Sequence, residues 1–295
     1  HEKQLKQIED DIESGNLSHA YLLAGANSVG KFTLAKKMAG ILQCETNFCH
    51  ECPICIQVDK GSHLDTIEFL ANGEPILVDA VRNLIERLSL SPQSKYKIVL
   101  FQSLERMTLA AANSFLKILE EPPAKTIFIM TTNDAHSLLP TIISRVRMIM
   151  FRSVSVSYLK EKLSELYPDK APETITNASL FSLGRIGKAV HLIENPDSLV
   201  NYTKVYHDVQ NFLERKNVVD RFSYVDDLVQ DSVNEGHQID VFFDILMHVL
   251  RSKVLEGDSS SEQYINTLSK IDDTAILLKR NINNRLALEN LMLSL

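Results

Sequence analysis

The stretch GANSVGKFT, residues 25 to 33, has the spacing of a phosphate-binding loop, G-x-x-x-x-G-K-[S/T]. In such a loop the glycines let backbone N–H groups surround phosphates, the lysine reaches the terminal ones, and the hydroxyl after the lysine holds magnesium. Gly25, Gly30 and Lys31 are in place, but Phe32 stands where the hydroxyl belongs and Thr33 carries it one residue late. One residue turns a helical side chain by about 100°, so Thr33 is no substitute. The remaining magnesium ligands would be acidic residues at the end of a later strand. After the apolar run KIVLF (97–101) stand Gln102 and Ser103 instead, and the next carboxylate, Glu105, reads as a solvated loop glutamate. The loop therefore keeps the shape of a phosphate site and lacks the oxygens that would bring a metal to it.

A second constellation holds every cysteine of the chain. Cys44, Cys49, Cys52 and Cys55 lie in CETNFCHECPIC with C-x4-C-x2-C-x2-C spacing. In a reducing compartment, thiolates this close converge on one tetrahedral zinc, and four of them leave no open position for water, so the site would be structural. A disulfide arrangement and unmetallated thiols are the alternatives, and His50 and His63 are nearby as other ligands. Zinc would order an excursion that is poor in apolar residues of its own. A third candidate is Arg145 in LLPTIISRV (138–146), just before a final strand. An arginine at a subunit edge can neutralise charge on a phosphoryl group held by a neighbour; the plain alternative is a surface arginine in a salt bridge.

These residues need elements to position them. AYLLAG (20–25), TIEFLA (66–71), KIVLF (97–101), TIFIMTT (126–132) and RMIMF (147–151) read as strands. KFTLAKKMAGIL (31–42), VDAVRNLIERLSL from Val78, and LAAANSFLKILEE (109–121) read as the helices between them. Val78, Val81, Leu84, Ile85 and Leu88 share one helical face, as do Ala112, Phe115, Leu116 and Leu119, and Pro122 and Pro123 end the latter helix. The alternation predicts a mostly parallel sheet under helices, with ligands at the carboxyl ends of its strands. Beyond Phe151 the pattern is helical, with breakers at 167–174, 194–198 and 256–262, and Ile239, Phe242, Phe243, Leu246, Val249 and Leu250 form one stripe. The expected division is an α/β domain over 1–151 with the cysteine module at 44–55, a small helical domain over 152–200 and a larger helical one over 201–295.

Composition narrows the function class. The chain has 295 residues, 44% hydrophobic and 23% charged, which suits a soluble globular protein of more than one domain. No apolar run reaches the roughly 18 residues of a membrane span, and no signal-peptide pattern is present, so a cytoplasmic location is expected. A net charge of -7 gives no general attraction for phosphate backbones, so any contact with DNA is local or shared with partners. Nothing is read from His1.

Most of residues 18 to 147 resembles the delta-prime family of bacterial DNA polymerase III clamp-loader subunits, in the AAA+ superfamily. The resemblance is carried by SHAYLLAG, the phosphate loop, the cysteine cluster, KIVLFQSLERMTLAAANSFLKILEEPP and LLPTIISRV, of which AANSFLKILEEPP is the most specific. It implies an AAA+ α/β domain, a helical lid over 152–200 and a helical collar over 201–295 that assembles subunits into a ring. It further implies motor partners of the tau/gamma type, a delta subunit, a sliding clamp met indirectly, and primer–template DNA within the assembled complex, with no membrane. The implied role is that of a subunit that hydrolyses nothing itself, not an enzyme alone, and donates an arginine finger from a Ser-Arg-Cys motif, here Ser144, Arg145 and Val146. The motor subunits have Asp-Glu where Gln102 and Ser103 stand, and their second-sensor arginine aligns with Gly187, next to Arg185 and Lys188. Thr131 and Thr132 fall in the first-sensor region. The resemblance and the residues together call for structural zinc and no magnesium. Gly25, Gly30, Lys31 and Thr33 form a degenerate loop compatible with passive ATP binding. A self-sufficient ATPase with an unusual magnesium site is the competing expectation.

Overall fold

A computed structural model describes residues 2–215, 217–235, 238–257, 261–279 and 283–295. His1 and the centre of the breaker expected at 256–262 lie outside the described residues. The chain divides into two compact units, His1–Ser153 and Val154–Leu295.

In the first unit the elements are α1 (Glu2–Glu13), β1 (Ala20–Gly25), α2 (Lys31–Gln43), α3 (Pro53–Asp59), β2 (Thr66–Phe69), α4 (Val78–Ser89) and β3 (Lys97–Phe101). They continue with α5 (Leu109–Glu120), β4 (Thr126–Thr132), α6 (Pro140–Ile143) and β5 (Arg147–Phe151). The described strands form one five-stranded sheet in the order β2-β3-β4-β1-β5, and every pairing is parallel. This is the α/β architecture that the AAA+ resemblance implies. β3 and β4 are buried along their whole length because helices cover both faces, which is why they read as unbroken apolar runs rather than alternating ones. One face packs Met38, Leu42, Ile98 and Ile129 under α2, and the other packs Val99, Phe101, Phe115 and Phe128 under α5. Phe101, Phe115 and Phe128 meet edge to face at centroid separations of 5.2 and 5.3 Å, a geometry that aligns ring edges with ring faces.

Several expected details shift. β2 ends at Phe69, two residues early, because Leu70 and the residues after it turn outward at the rim. The buried stripe of α4 narrows to Val81, Leu84 and Leu88, leaving Ile85 exposed, and on α5 Ile118 is buried while Leu116 is only partly so. At the end of α4, Lys97 donates to the carbonyls of Arg87 and Leu90, neutralising the orphan acceptors of the last turn. α1 and α3 have no counterpart in the sequence reading. α1 is held by buried Ile8 and by an ion pair of 2.8 Å between Asp11 and Arg147.

The cysteine excursion is not poor in anchors, contrary to the sequence reading. Phe48 and Val58 are buried in the α2 face of the core, and Phe48 lies where a Cβ on Gly40 would come within 2.1 Å of its ring. Gly40 costs helix propensity in mid-α2, and this close approach is the reason it is tolerated.

The second unit is helical throughout its described residues. α7 (Val156–Leu166), α8 (Pro172–Phe181), α9 (Ile186–Glu194), α10 (Pro196–Arg215), α11 (Val218–Glu235), α12 (Gln238–Glu256), α13 (Ser261–Lys279) and α14 (Asn284–Met292) share one hydrophobic cluster running from Leu159 to Leu295. Phe242, Phe243, Leu246, Val249 and Leu250 of α12 are buried as expected, together with Val241 and Ile245, while Ile239 is only partly buried. The breaker at 194–198 is only one residue wide, since Asn195 alone separates α9 from α10. Pro196 explains this, because a proline opens a helix at no hydrogen-bond cost.

Replacing Gly40 by alanine should destabilise the first unit by about 1–2 kcal/mol, because displacing the Phe48 ring outweighs the helix-propensity gain. Urea unfolding of Gly40→Ala, Phe48→Ala and the double variant checks this, and the two changes should be clearly less than additive.

Candidate functional site

The crevice at the carboxyl ends of the strands begins with Gly25. Its φ is +151°, and an added Cβ would lie 2.2 Å from the Phe151 carbonyl oxygen of the neighbouring strand, so only glycine lets the chain leave β1 here. Gly30, at φ +92°, then caps the start of α2 in the left-handed region. Lys31 follows and is buried. Its ammonium donates to the carbonyls of Gly25 at 2.7 Å and Ala26 at 2.6 Å and to Asn133 Oδ1 at 3.0 Å. Those three bonds match the three protons of the ammonium. Burial pushes its pKa down to about 8 against the opposing pull of Glu105.

Phe32 tucks partly into the α2 core, and Thr33 is exposed, so the displaced hydroxyl does not return to the loop. Gln102 turns toward β2, its Oε1 accepting from the Ala71 N–H at 3.0 Å. The Ser103 N–H donates to Thr131 Oγ1, and Thr132 Oγ1 bonds the Asp134 backbone, so both threonines serve strand and turn ends.

Glu105 departs from the sequence reading. It is not a solvated loop residue: its Oε1 accepts from the Asn133 N–H at 3.1 Å and from Asn133 Nδ2 at 2.9 Å, and its Oε2 is buried with no hydrogen-bond partner among the described residues. Asn133 thus bridges Lys31 and Glu105. Periodicity offered no signal for either residue, because both sit in turns past the strand ends and meet only when β3 and β4 pair.

Around the cysteines, Cys44 lies 3.9 Å from both Cys49 and Cys52, Cys49 lies 3.9 Å from Cys55, and all four sulfurs fall within 4.8 Å of one another. A zinc–sulfur distance of about 2.3 Å sets tetrahedral sulfur separations of about 3.8 Å, so the quartet has the spacing one zinc requires. The described cysteines are all free thiols, which removes the disulfide alternative from this structure. N–H groups of Thr46, Cys52 and Cys55 donate to Cys44, Cys49 and Cys52, the last of these capping α3. The Thr46 hydroxyl and neighbouring N–H groups draw the Cys44 thiol down to about 5, while burial pushes Cys55 up to about 12. His50 is turned to Asp59, and His63 is buried between Thr66 and Ser94, so neither histidine joins the quartet.

Arg145 follows the α6 turn. Its Nη2 pairs with Glu120 Oε1 at 2.7 Å, and its Nη1 donates to the Thr141 carbonyl at 2.9 Å and to Ser144 Oγ at 3.2 Å. The side chain keeps 34% of its surface exposed. The salt-bridge geometry raised as the plain alternative is therefore present within the chain. In the second unit, Arg185 and Lys188 both pair with Asp244, and Lys188 lies 4.4 Å from the centroid of Tyr202. The cations beside Gly187 are thus engaged inside their own helical unit.

A family model described as DNA polymerase III, delta subunit, matches residues 1–155. The chain belongs to the DNA polymerase III delta subunit family. Within the wider set of polymerase III subunits, it is 27% identical to subunit delta' of Bacillus subtilis over 84% of this chain and 75% of that one. It is 29% identical to subunit gamma of Buchnera aphidicola over 66% of this chain. The chain spans 56% and 60% of the length of the two Buchnera gamma subunits it matches. A solved gamma subunit-related protein of Thermotoga maritima shares the fold over 98% of this chain and 97% of its own, with a TM-score of 0.52 at 21% identity. The matched part of this family member contains the phosphate loop, the cysteine quartet and Arg145.

Because the unfolded chain binds the Lys31 proton more readily than the folded one, this group adds stability as pH rises from about 8 to 10.5. Urea unfolding at pH about 7.5 and about 9.5 should therefore show the wild type gaining on Lys31→Met at the higher value.

Proposed function

We propose that the chain is a non-hydrolysing clamp-loader subunit of the delta-prime type, which supplies Arg145 to the ATP site of a neighbouring motor subunit. The observation that carries this reading is the makeup of its own cleft. Phe32 replaces the magnesium hydroxyl, Gln102 and Ser103 replace the acidic pair, and the Lys31 ammonium is bonded to its own loop and to Asn133. An arginine acting in trans contributes roughly 10^3 to 10^5 in rate, about 4–7 kcal/mol, enough for one side chain to give a subunit without turnover a role in phosphate cleavage. The match to a Bacillus delta' subunit over 84% of this chain and 75% of that one supports the delta-prime reading.

The partners under this reading are tau/gamma motor subunits, a delta subunit, the sliding clamp indirectly, and primer–template DNA inside the complex. The protein works in the cytoplasm, and no helix among the described residues is long and apolar enough to cross a membrane. Cys44, Cys49, Cys52 and Cys55 hold one structural zinc, which sets the internal shape of the excursion. Gly25, Gly30 and Lys31 retain at most passive ATP binding without magnesium, and Thr33 takes no part.

A second reading, a self-sufficient ATPase, draws on one observation: Glu105 is linked to Lys31 through Asn133 and has a buried oxygen with no hydrogen-bond partner among the described residues. Under it, Glu105 would take the place of the missing acidic pair.

The purified chain should show no ATP hydrolysis above background; magnesium-dependent turnover lost in both Lys31→Ala and Glu105→Ala would favour the second reading. Arg145→Ala should leave folding and ring assembly intact and slow turnover at the neighbouring site by about 10^3-fold, measured in the reconstituted loader. Metal analysis should return about one zinc per chain, lost together with the ordered excursion in Cys52→Ser.

A further inference from the structure

Glu120 is the last residue of α5; Glu121 caps the helix, and Pro122 and Pro123 come after it. A carboxylate there faces the negative end of the helix dipole and is locally unfavourable. What opposes it is Arg145, whose Nη2 lies 2.7 Å from Glu120 Oε1. The other side of the guanidinium is tied to the α6 turn, where the Thr141 carbonyl accepts from both Arg145 Nη1 and Ser144 Oγ, and Ser144 Oγ accepts from the same Nη1. Val146, the next residue, packs partly buried against the α5 face of the core. The guanidinium is thus held from two elements, with Nε and part of Nη2 uncommitted among the described residues.

We propose that Glu120 is a positioning residue for Arg145, fixing the guanidinium plane so that its uncommitted N–H groups meet a neighbour's phosphate in a single orientation. This rests on the reading of Arg145 as a residue acting in trans. Magnitude separates positioning from restraint. The pair is exposed on both sides, 34% for Arg145 and 52% for Glu120, and such a pair shifts an equilibrium by less than about sixfold. That is too little to hold back an interaction worth at least about 10^3. A free arginine, by contrast, loses side-chain entropy equivalent to as much as about thirtyfold when it is fixed, and misplacement near an ångström costs up to about 10^2. Holding the side chain in advance removes part of both costs.

The test is made in the reconstituted loader. Glu120→Ala should lower kcat for ATP by about threefold to sixfold with KM unchanged, and should cause no further loss when combined with Arg145→Ala. Glu120→Gln, which keeps an acceptor oxygen without the charge, should recover part of the rate and shows that the loss is not misfolding. Wild-type or faster turnover in Glu120→Ala, or an equal loss in the Arg145→Ala background, overturns the positioning role while leaving the trans arginine standing. Unchanged turnover in Arg145→Ala alone removes the trans arginine itself, and the positioning role with it.

Discussion

The first unit depends on how closely β1 lies against β5. Gly25 ends β1 with its Cα against the Phe151 carbonyl, and no side chain fits between them. That contact sets where the chain leaves the sheet, and therefore where the left-handed turn at Gly30 starts α2 and where Lys31 enters the crevice. The lysine then meets what the other strands deliver: loop carbonyls from the β1 side and Asn133 from the tip of β4. A glycine at a strand end is thus the origin of the whole polar network that runs through Asn133 to Glu105.

Each cation singled out by its sequence position is engaged within its own unit: Lys31 by carbonyls and Asn133, Arg145 by Glu120, and Arg185 and Lys188 by Asp244. The engagements differ in kind. Lys31 and Lys188 are buried enough that desolvation draws both down to about 8, whereas Arg145 remains partly in water. A buried cation satisfied by fixed acceptors is costly to redirect, because its partners would be left unpaired in a low dielectric. The partly exposed Arg145 offers its remaining N–H groups to a further acceptor without giving up its pair with Glu120. This contrast is why the proposed function rests on Arg145 and not on the lysine of the loop.

The cysteine module combines a sulfur quartet at metal-binding spacing with an apolar anchor. The sulfurs are spaced for one tetrahedral ion, and Phe48, between Cys44 and Cys49 in the chain, packs on Gly40 of α2. The ring sets where the excursion docks, and the sulfur geometry sets its internal shape.

The strands, the helices between them other than α1, α3 and α6, and the parallel arrangement were legible because short apolar runs bounded by turn residues alternate with segments of helical periodicity. The cysteine quartet was legible for a similar local reason, since its ligands are neighbours in the chain. The same holds for the missing hydroxyl at Phe32 and the missing acids at Gln102 and Ser103, which are one-position facts. Glu105, Asn133, Glu120 and Asp244 were not legible. Each acts through a partner on another element, 28 residues from Glu105 to Asn133 and 59 from Arg185 to Asp244. A polar side chain in a turn or on a helix looks the same in sequence whether it faces water or a buried cation, so only the packing of elements decides between the two.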